Sequence, residues 1–125
     1  MAIGKIETVL IDVKDLRKAI PFFEELLGIK FDAPSTNVLG DGTEIEAAWC
    51  PAFGLELIEQ MKPRIDRDGM RGFSVRVPDV EQAKAHLAKS ALKPIAEVKS
   101  ERFKEHEAVY VLNCFRFVLT EHEDY

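Results

Sequence analysis

Two stretches decide the fold of this chain: Lys5-Ile6-Glu7-Thr8-Val9-Leu10-Ile11-Asp12-Val13-Lys14-Asp15-Leu16 and Phe73-Ser74-Val75-Arg76-Val77-Pro78-Asp79-Val80. In each, apolar alternation gives way to an aspartate and then to a helical pattern. Val9, Ile11 and Val13 share one face of the first strand, and Phe73, Val75 and Val77 share one face of the second. Asp15 and Asp79 are placed to cap helices, because a short side-chain oxygen can accept an N–H of the first turn. Leu16, Ala19, Ile20, Phe23, Leu26 and Leu27 then recur at helical spacing, and Gly28 closes the run. The second helix carries Val80, Ala83, Leu87 and Ala91. Superimposing Val13–Leu16 on Val77–Val80 gives an offset of about 64 residues, which also places Ala19 on Ala83, Phe23 on Leu87 and Phe31 on Ile95. Pro21 predicts either a kink or a helix that begins near Pro21, since an interior proline removes a hydrogen bond and crowds the preceding turn.

Working outward, Ile29-Lys30-Phe31 reads as a short strand and 34–42 as a loop with a tight turn at Asp41-Gly42. Thr43 to Cys50 and Gly54 to Gln60 read as strands joined through Pro51. Glu107 to Leu112 and Phe115 to Thr120 mirror them. The charged run 61–71 reads as a connector. The expected fold is α+β, two tandem βαβββ modules in one domain of residues 1–125. Module one covers about 5–60, the connector 61–71, and module two about 72–122.

A chain of 125 residues buries roughly two-thirds of its unfolded surface and needs no staples. The balance of 17 basic and 22 acidic residues, net −5, argues against nucleic acid and anionic lipid as partners, which need a concentrated positive field. No apolar run approaches the roughly 20 residues of a membrane span, and the start of the chain carries no secretory hydrophobic segment. Cys50 and Cys114 have neither metal-motif spacing nor disulfide-scaffold density, so a reduced, cytoplasmic protein is expected. Both read as small buried hydrophobes, and Tyr110 and Phe115 as core aromatics.

The order and spacing of Val13-Lys14-Asp15-Leu16, Phe22-Phe23-Glu24-Glu25-Leu26-Leu27-Gly28, Gly54-Leu55-Glu56-Leu57 and Val77-Pro78-Asp79-Val80 resemble the vicinal oxygen chelate superfamily. That superfamily includes glyoxalase I, bleomycin-resistance proteins, extradiol dioxygenases and methylmalonyl-CoA epimerase. The resemblance implies that each module curls its part of a mixed sheet into half of a cup, with the helices outside. It also implies metal ligands on the first and last strand of each module in metal-using members. Those places fall on Thr8, Glu56, Gly72 and Val118, of which only Glu56 binds a divalent cation well. The family metal site is expected to be absent, with no cofactor. His86 belongs outside the cup, and the triplets Glu105-His106-Glu107 and Glu121-His122-Glu123 read as solvated surface or tail.

Alternation places Thr8, Leu10 and Asp12 on the concave side, with Gly72, Ser74 and Arg76 from module two. Glu56, Ile58, Arg116, Val118 and Thr120 join them from the last strands, with Trp49 at the wall or rim. The ligand-binding set is therefore Thr8, Leu10, Asp12, Trp49, Glu56, Ile58, Ser74, Arg76, Arg116 and Val118. An ion pair between Asp12 and Arg76, or between Glu56 and an arginine, competes with ligand binding by either partner. Three functions follow. The first is metal-independent binding or sequestration of a small molecule by a homodimer, similar to the bleomycin-resistance branch. The second is a lyase or isomerase with Glu56 as general base beside Arg76 or Arg116. The third is a protein-interaction module.

Overall fold

The computed structural model describes residues 2–100, 105–112 and 115–122. Cys114, Glu123 and residues 101–104 lie outside that set. The elements run β1 (Lys5–Asp12), α1 (Leu16–Leu27), β2 (Ser35–Val38), β3 (Glu44–Cys50), β4 (Leu55–Lys62), β5 (Gly69–Arg76), α2 (Val80–Ala88), β6 (Ala96–Ser100), β7 (Glu105–Leu112) and β8 (Phe115–His122). This is the expected α+β order of βαβββ followed by βαβββ. The chain forms two compact units, Thr8–Arg71 and Met1–Glu7 with Gly72–Tyr125, here called the first and second unit. No described helix is long and apolar enough to cross a membrane.

In the first unit the strand order is β2-β3-β4-β1, with β1 and β4 parallel and the other pairs antiparallel. In the second it is β5-β8-β7-β6, with β5 and β8 parallel. Each unit packs its helix on one face of its strands. Leu16 joins Val13, Ala48, Leu55 and Leu57 in the first core, against which Val9, Ile11, Ala19 and Phe23 pack. Val80 and Ala83 join Val77, Ala108, Tyr110, Phe117 and Leu119 in the second. Tyr110 stacks on Phe117 at 4.9 Å, as a core aromatic should.

The repeat extends to how each helix is anchored. The Asp15 carboxylate accepts the N–H groups of Arg17 and Lys18, and Asp79 accepts that of Gln82. A second carboxylate then reaches in from the last strand. Glu59 accepts the Leu16 N–H at 2.8 Å, and Glu121 accepts the Val80 N–H, also at 2.8 Å. Three of the orphan donors at the start of α1 and two at the start of α2 are thereby satisfied by charged acceptors, the stronger kind of hydrogen bond.

Several boundaries differ from expectation. α1 starts at Leu16 and runs through Pro21 to Leu27. The double carboxylate anchor holds its start, and Gly28, at φ 67, closes its end, where an L side chain would be strained. Ile29 and Phe31 do not form a strand: they pack into the first core, while the Phe31 N–H is held by Glu24 and the Asp32 N–H by the Trp49 carbonyl. The strand lies instead at 35–38, inside the predicted loop. α2 ends at Ala88, and Ala91 has a φ of 61, outside the helical region. The connector 61–71 loses its ends to strands, β4 reaching Lys62 and β5 starting at Gly69.

Candidate functional site

The side of β1 turned away from α1 carries Thr8, Leu10 and Asp12. Glu56 and Ile58 of β4 lie beside Leu10 and Asp12 in register, and Trp49 lies beside Glu56. Thr8, Leu10, Asp12 and Ile58 are buried, whereas Trp49 and Glu56 are half-buried. The Trp49 indole N–H donates to Thr8 Oγ1 at 3.4 Å, so the two predicted residues form one small polar contact.

Asp12 is held structurally. Only 2% exposed, it accepts Arg71 Nη1 at 2.9 Å, and Arg71 is itself only 6% exposed. The same nitrogen donates to Gln60 Oε1 at 3.0 Å, Gln60 Nε2 donates to the Pro63 carbonyl at 2.9 Å, and Arg67 stands 3.9 Å from Asp12. A buried carboxylate needs such company, because its desolvation otherwise dominates. Sequence reasoning gave Asp12 to a ligand or to Arg76 and put Arg71 in a connector. The signal that finds Arg71 is the lone acid in the apolar run Val9–Val13, which requires a cation within reach.

In the second unit, Ser74 lies beside Val118, Arg76 beside Thr120, and Gly72 beside Arg116 in the parallel β5–β8 register. Ser74 is buried, and its Oγ has no hydrogen-bond partner among the described residues. Arg76, Arg116 and Val118 are half-buried. Arg76 Nη1 donates to Glu7 Oε2 at 3.1 Å, and the Thr120 hydroxyl donates to Glu7 Oε1 at 3.2 Å. His122 Nε2 lies 3.3 Å from that same oxygen. A carboxylate, a guanidinium, a hydroxyl and an imidazole thus converge within the second unit, the Thr120 hydroxyl on a buried residue and the other three on half-buried ones. Sequence reasoning missed Glu7 and assigned His122 to surface or tail. Strand alternation does turn His122 away from Glu121, whose carboxylate serves α2, and this leaves the imidazole directed to Glu7.

The positions that would carry a family metal do not fit one. An added Cβ at Gly72 would sit 1.7 Å from the Arg116 carbonyl oxygen, so the backbone itself excludes any ligating side chain there. Val118 offers no donor atom, and Thr8 Oγ1 is engaged by Trp49. Catalytic metals need about three protein ligands, and only Glu56 is of the right kind.

Among the described residues, one other group places three ligating atoms within 4.8 Å of one another: Glu81, Glu97 and His106. Lys84, which is bonded to Glu97 and lies 3.5 Å from Glu81, already supplies a cation to both carboxylates. His106, 12% exposed at its side chain, faces α2 and not open solvent, contrary to the surface reading. The arrangement has a counterpart in the first unit. There Arg17 of α1 holds Glu46 of β3 at 3.1 Å, at the repeat positions of Glu81 and His106. In both units a polar side chain of the helix thus meets one of the strand below it, as cation over carboxylate in the first unit and carboxylate over imidazole in the second. The Glu97 hydrogen bond holds the Lys84 ammonium above the usual lysine range, and Lys84 in turn holds Glu97 below the usual carboxylate range. Burial pushes the Tyr110 phenol up.

Two βαβββ units with a polar strand face opposite each helix define the class of vicinal oxygen chelate proteins. The chain belongs to the Glyoxalase/Bleomycin resistance protein/Dioxygenase superfamily, whose family model matches residues 5–106. Methylmalonyl-CoA epimerase from Mycobacterium tuberculosis superposes with a TM-score of 0.71 at 14% identity, covering 98% of this chain and 91% of that one. The hypothetical protein BH1468 from Bacillus halodurans C-125 gives 0.71 at 15% identity, covering 98% and 96%. A Streptomyces coelicolor methylmalonyl-CoA epimerase in complex with 2-nitronate-propionyl-CoA gives 0.71 at 14%, covering 98% and 99%. At such identities these likenesses establish the fold alone. No curated protein matches the sequence.

Proposed function

We propose that the chain binds a small organic molecule on its strand faces opposite the helices, without a divalent metal. The observation that carries this reading is the close approach of Gly72 to the Arg116 carbonyl, which removes a ligand position that no rotamer change restores. The second unit's face supplies recognition chemistry: the buried Ser74 hydroxyl, the Arg76 guanidinium anchored by Glu7, and apolar Val118. In the first unit, Thr8, Trp49 and Glu56 form the corresponding set, while Asp12 serves the fold. Apolar walls with a few oriented polar groups are what small-molecule sites require.

The experiment is a thermal-shift screen of organic acids, CoA esters and cationic drugs, run with and without EDTA. A ligand at 100 times its Kd adds about 2.7 kcal/mol, roughly 10 °C for a chain of this length. The expected result is a shift that EDTA leaves unchanged. A shift that vanishes with EDTA and returns with a stoichiometric divalent cation would refute metal independence. A homodimer, the assembly the resemblance implies, is tested by sedimentation of the same protein.

A second reading, an isomerase like the structural neighbours, is favoured by one contact. Glu7 Oε1 and His122 Nε2 stand 3.3 Å apart beside a guanidinium, so a proton could pass between substrate carbon and this pair while Arg76 stabilises developing negative charge. Exchange of the substrate's C2 proton in D2O, with methylmalonyl-CoA as first substrate, tests it. Turnover lost in both Glu7→Gln and His122→Ala supports this pair. Turnover lost only in Glu56→Gln moves the base to Glu56.

A further inference from the structure

A separate depression of about 650 Å³ opens on the opposite, α1 side of the first unit, within the ~300–1,000 Å³ range of small-molecule sites. Its apolar wall is Val13, Ala19, Phe22 and Phe23. Val13, Ala19 and Phe23 belong to the core beneath α1, so this wall is rigid. Phe22 stands at the mouth, 61% exposed and edge-on to Phe23 at 5.3 Å between ring centroids. Helix amphipathicity does not explain an exposed phenylalanine here, whereas an aromatic partner stacked on it would.

Four charges rim the depression: Lys14, Lys18, Asp15 and Asp68. They are not equivalent. The Asp15 carboxylate accepts the N–H groups of Arg17 and Lys18 at 3.1 and 3.3 Å, and Asp68 accepts the N–H of Lys14 at 2.9 Å. Both acids are thereby fixed on the backbone. The Lys14 and Lys18 ammonium groups make no ion pair or hydrogen bond among the described residues, and each rides on a flexible stem that can swing across the mouth. The rim is formally neutral, but its carboxylates are fixed on backbone donors while its two ammonium groups are mobile, so the cations are the charges that can close on a ligand over the apolar floor.

We propose that this depression is a second binding site, for an aromatic or alicyclic anion: its ring lies on Phe22, Val13 and Ala19, and its carboxylate or sulfonate meets Lys14 and Lys18. It shares no residue with the site proposed above, and its occupancy does not depend on that site's ligand.

The test is titration of the 15N-labelled chain at pH 7 with naphthalene-2-sulfonate, 2-naphthol and 2-naphthylmethylamine. Saturable amide shifts centred on 13–23 and 68 are expected with the sulfonate, at about fivefold or more lower Kd than with the neutral naphthol. The double variant Lys14→Gln/Lys18→Gln should raise the sulfonate Kd about fivefold or more and leave the naphthol Kd unchanged. Phe22→Ser should weaken both. All three side chains are exposed, so the amide spectrum itself reports that the variants stay folded. The proposal is overturned if the amine binds as tightly as the sulfonate, if the shifts fall elsewhere, if the double variant binds as the parent does, or if no probe saturates.

Discussion

Replacing Arg71 with methionine removes the cation from a carboxylate that is 2% exposed. Methionine fills most of the volume of the arginine stem, so the loss is electrostatic more than steric. Stranding one member of a buried ion pair costs about 3–5 kcal/mol. Arg67, 3.9 Å from Asp12 on its other oxygen and 60% exposed, tempers the loss, and Gln60 loses its own donor. The low end applies, about 3 kcal/mol. Unfolding entropy near 60 °C is about 2.1 cal/mol/K per residue, or ~0.26 kcal/mol/K for this chain, so the midpoint should fall by roughly 11 °C. Asp12→Asn alone should cost less, because its amide keeps one acceptor for Arg71. The double variant Asp12→Asn/Arg71→Met should recover most of the 3 kcal/mol, since no charge is then left buried. Urea denaturation of the four proteins measures the cycle. A loss below about 1 kcal/mol in Arg71→Met, or a double variant as unstable as that single one, would refute the argument that Asp12 is held by charge pairing.

Other outcomes follow from the same geometry. Glu59→Ala and Glu121→Ala should each cost about 1–2 kcal/mol, the range for loss of a good N-terminal cap, as read by urea midpoints. Gly72→Ala places a Cβ against the Arg116 carbonyl and should prevent accumulation of folded protein, whereas Gly28→Ala, with open space around it, should cost only about 1 kcal/mol of positive-φ strain. The Lys84–Glu97 pair predicts a two-sided pH effect. Glu97's pKa is lowered by folding, so its contribution stands above the unfolded carboxylate value and is lost as pH falls through the folded one. Lys84's is raised, so its contribution stands below the usual lysine value and is lost as pH rises through the folded one. Glu97→Gln should flatten the stability profile at both ends, with urea midpoints from acid to alkaline pH as the readout.

What the sequence disclosed was whatever a period or a local offset encodes. The Val9–Val13 and Phe73–Val77 alternations, the two aspartate caps and their common offset located both helices and six of the eight strands to within a few residues. The failures share one cause: a distant partner overrode local pattern. Pro21 reads as a kink or as a late helix start, and the late start gives way because Glu59, 43 residues away, holds the helix at Leu16. Ile29 and Phe31 alternate like a strand, but the core beneath α1 takes both. Arg71 reads as connector charge until Asp12 is seen to need it. His106 and His122 look solvated among glutamates, because the sequence does not say that α2 lies over one and Glu7 beside the other.

The two units agree where they carry their helices and disagree where they do not. Leu16 and Val80, Asp15 and Asp79, and Glu59 and Glu121 perform the same tasks at matching positions. Even the polar contact from helix to strand keeps its place while changing its residues, Arg17–Glu46 for Glu81–His106. On the other face, matching positions hold Thr8 against Gly72, Asp12 against Arg76, and Glu56 against Val118. A stability requirement shared by both units preserves chemistry on the helix side, since each helix must be capped and buried. Opposite, part of the divergence is structural too, since Arg71 holds Asp12 and the Arg116 carbonyl excludes a side chain at Gly72, yet the remaining side chains still differ in charge, size and donor count. Capping and burial of a helix constrain one face more evenly than the other, which leaves more of the opposite face to a ligand. Exchanging the units' residues pairwise should therefore be tolerated on the helix side. On the opposite face, Ser74→Leu, which copies the matching Leu10, should leave the fold standing and abolish the thermal shift of any ligand whose shift survives Phe22→Ser. Retention of that shift would place the ligand elsewhere.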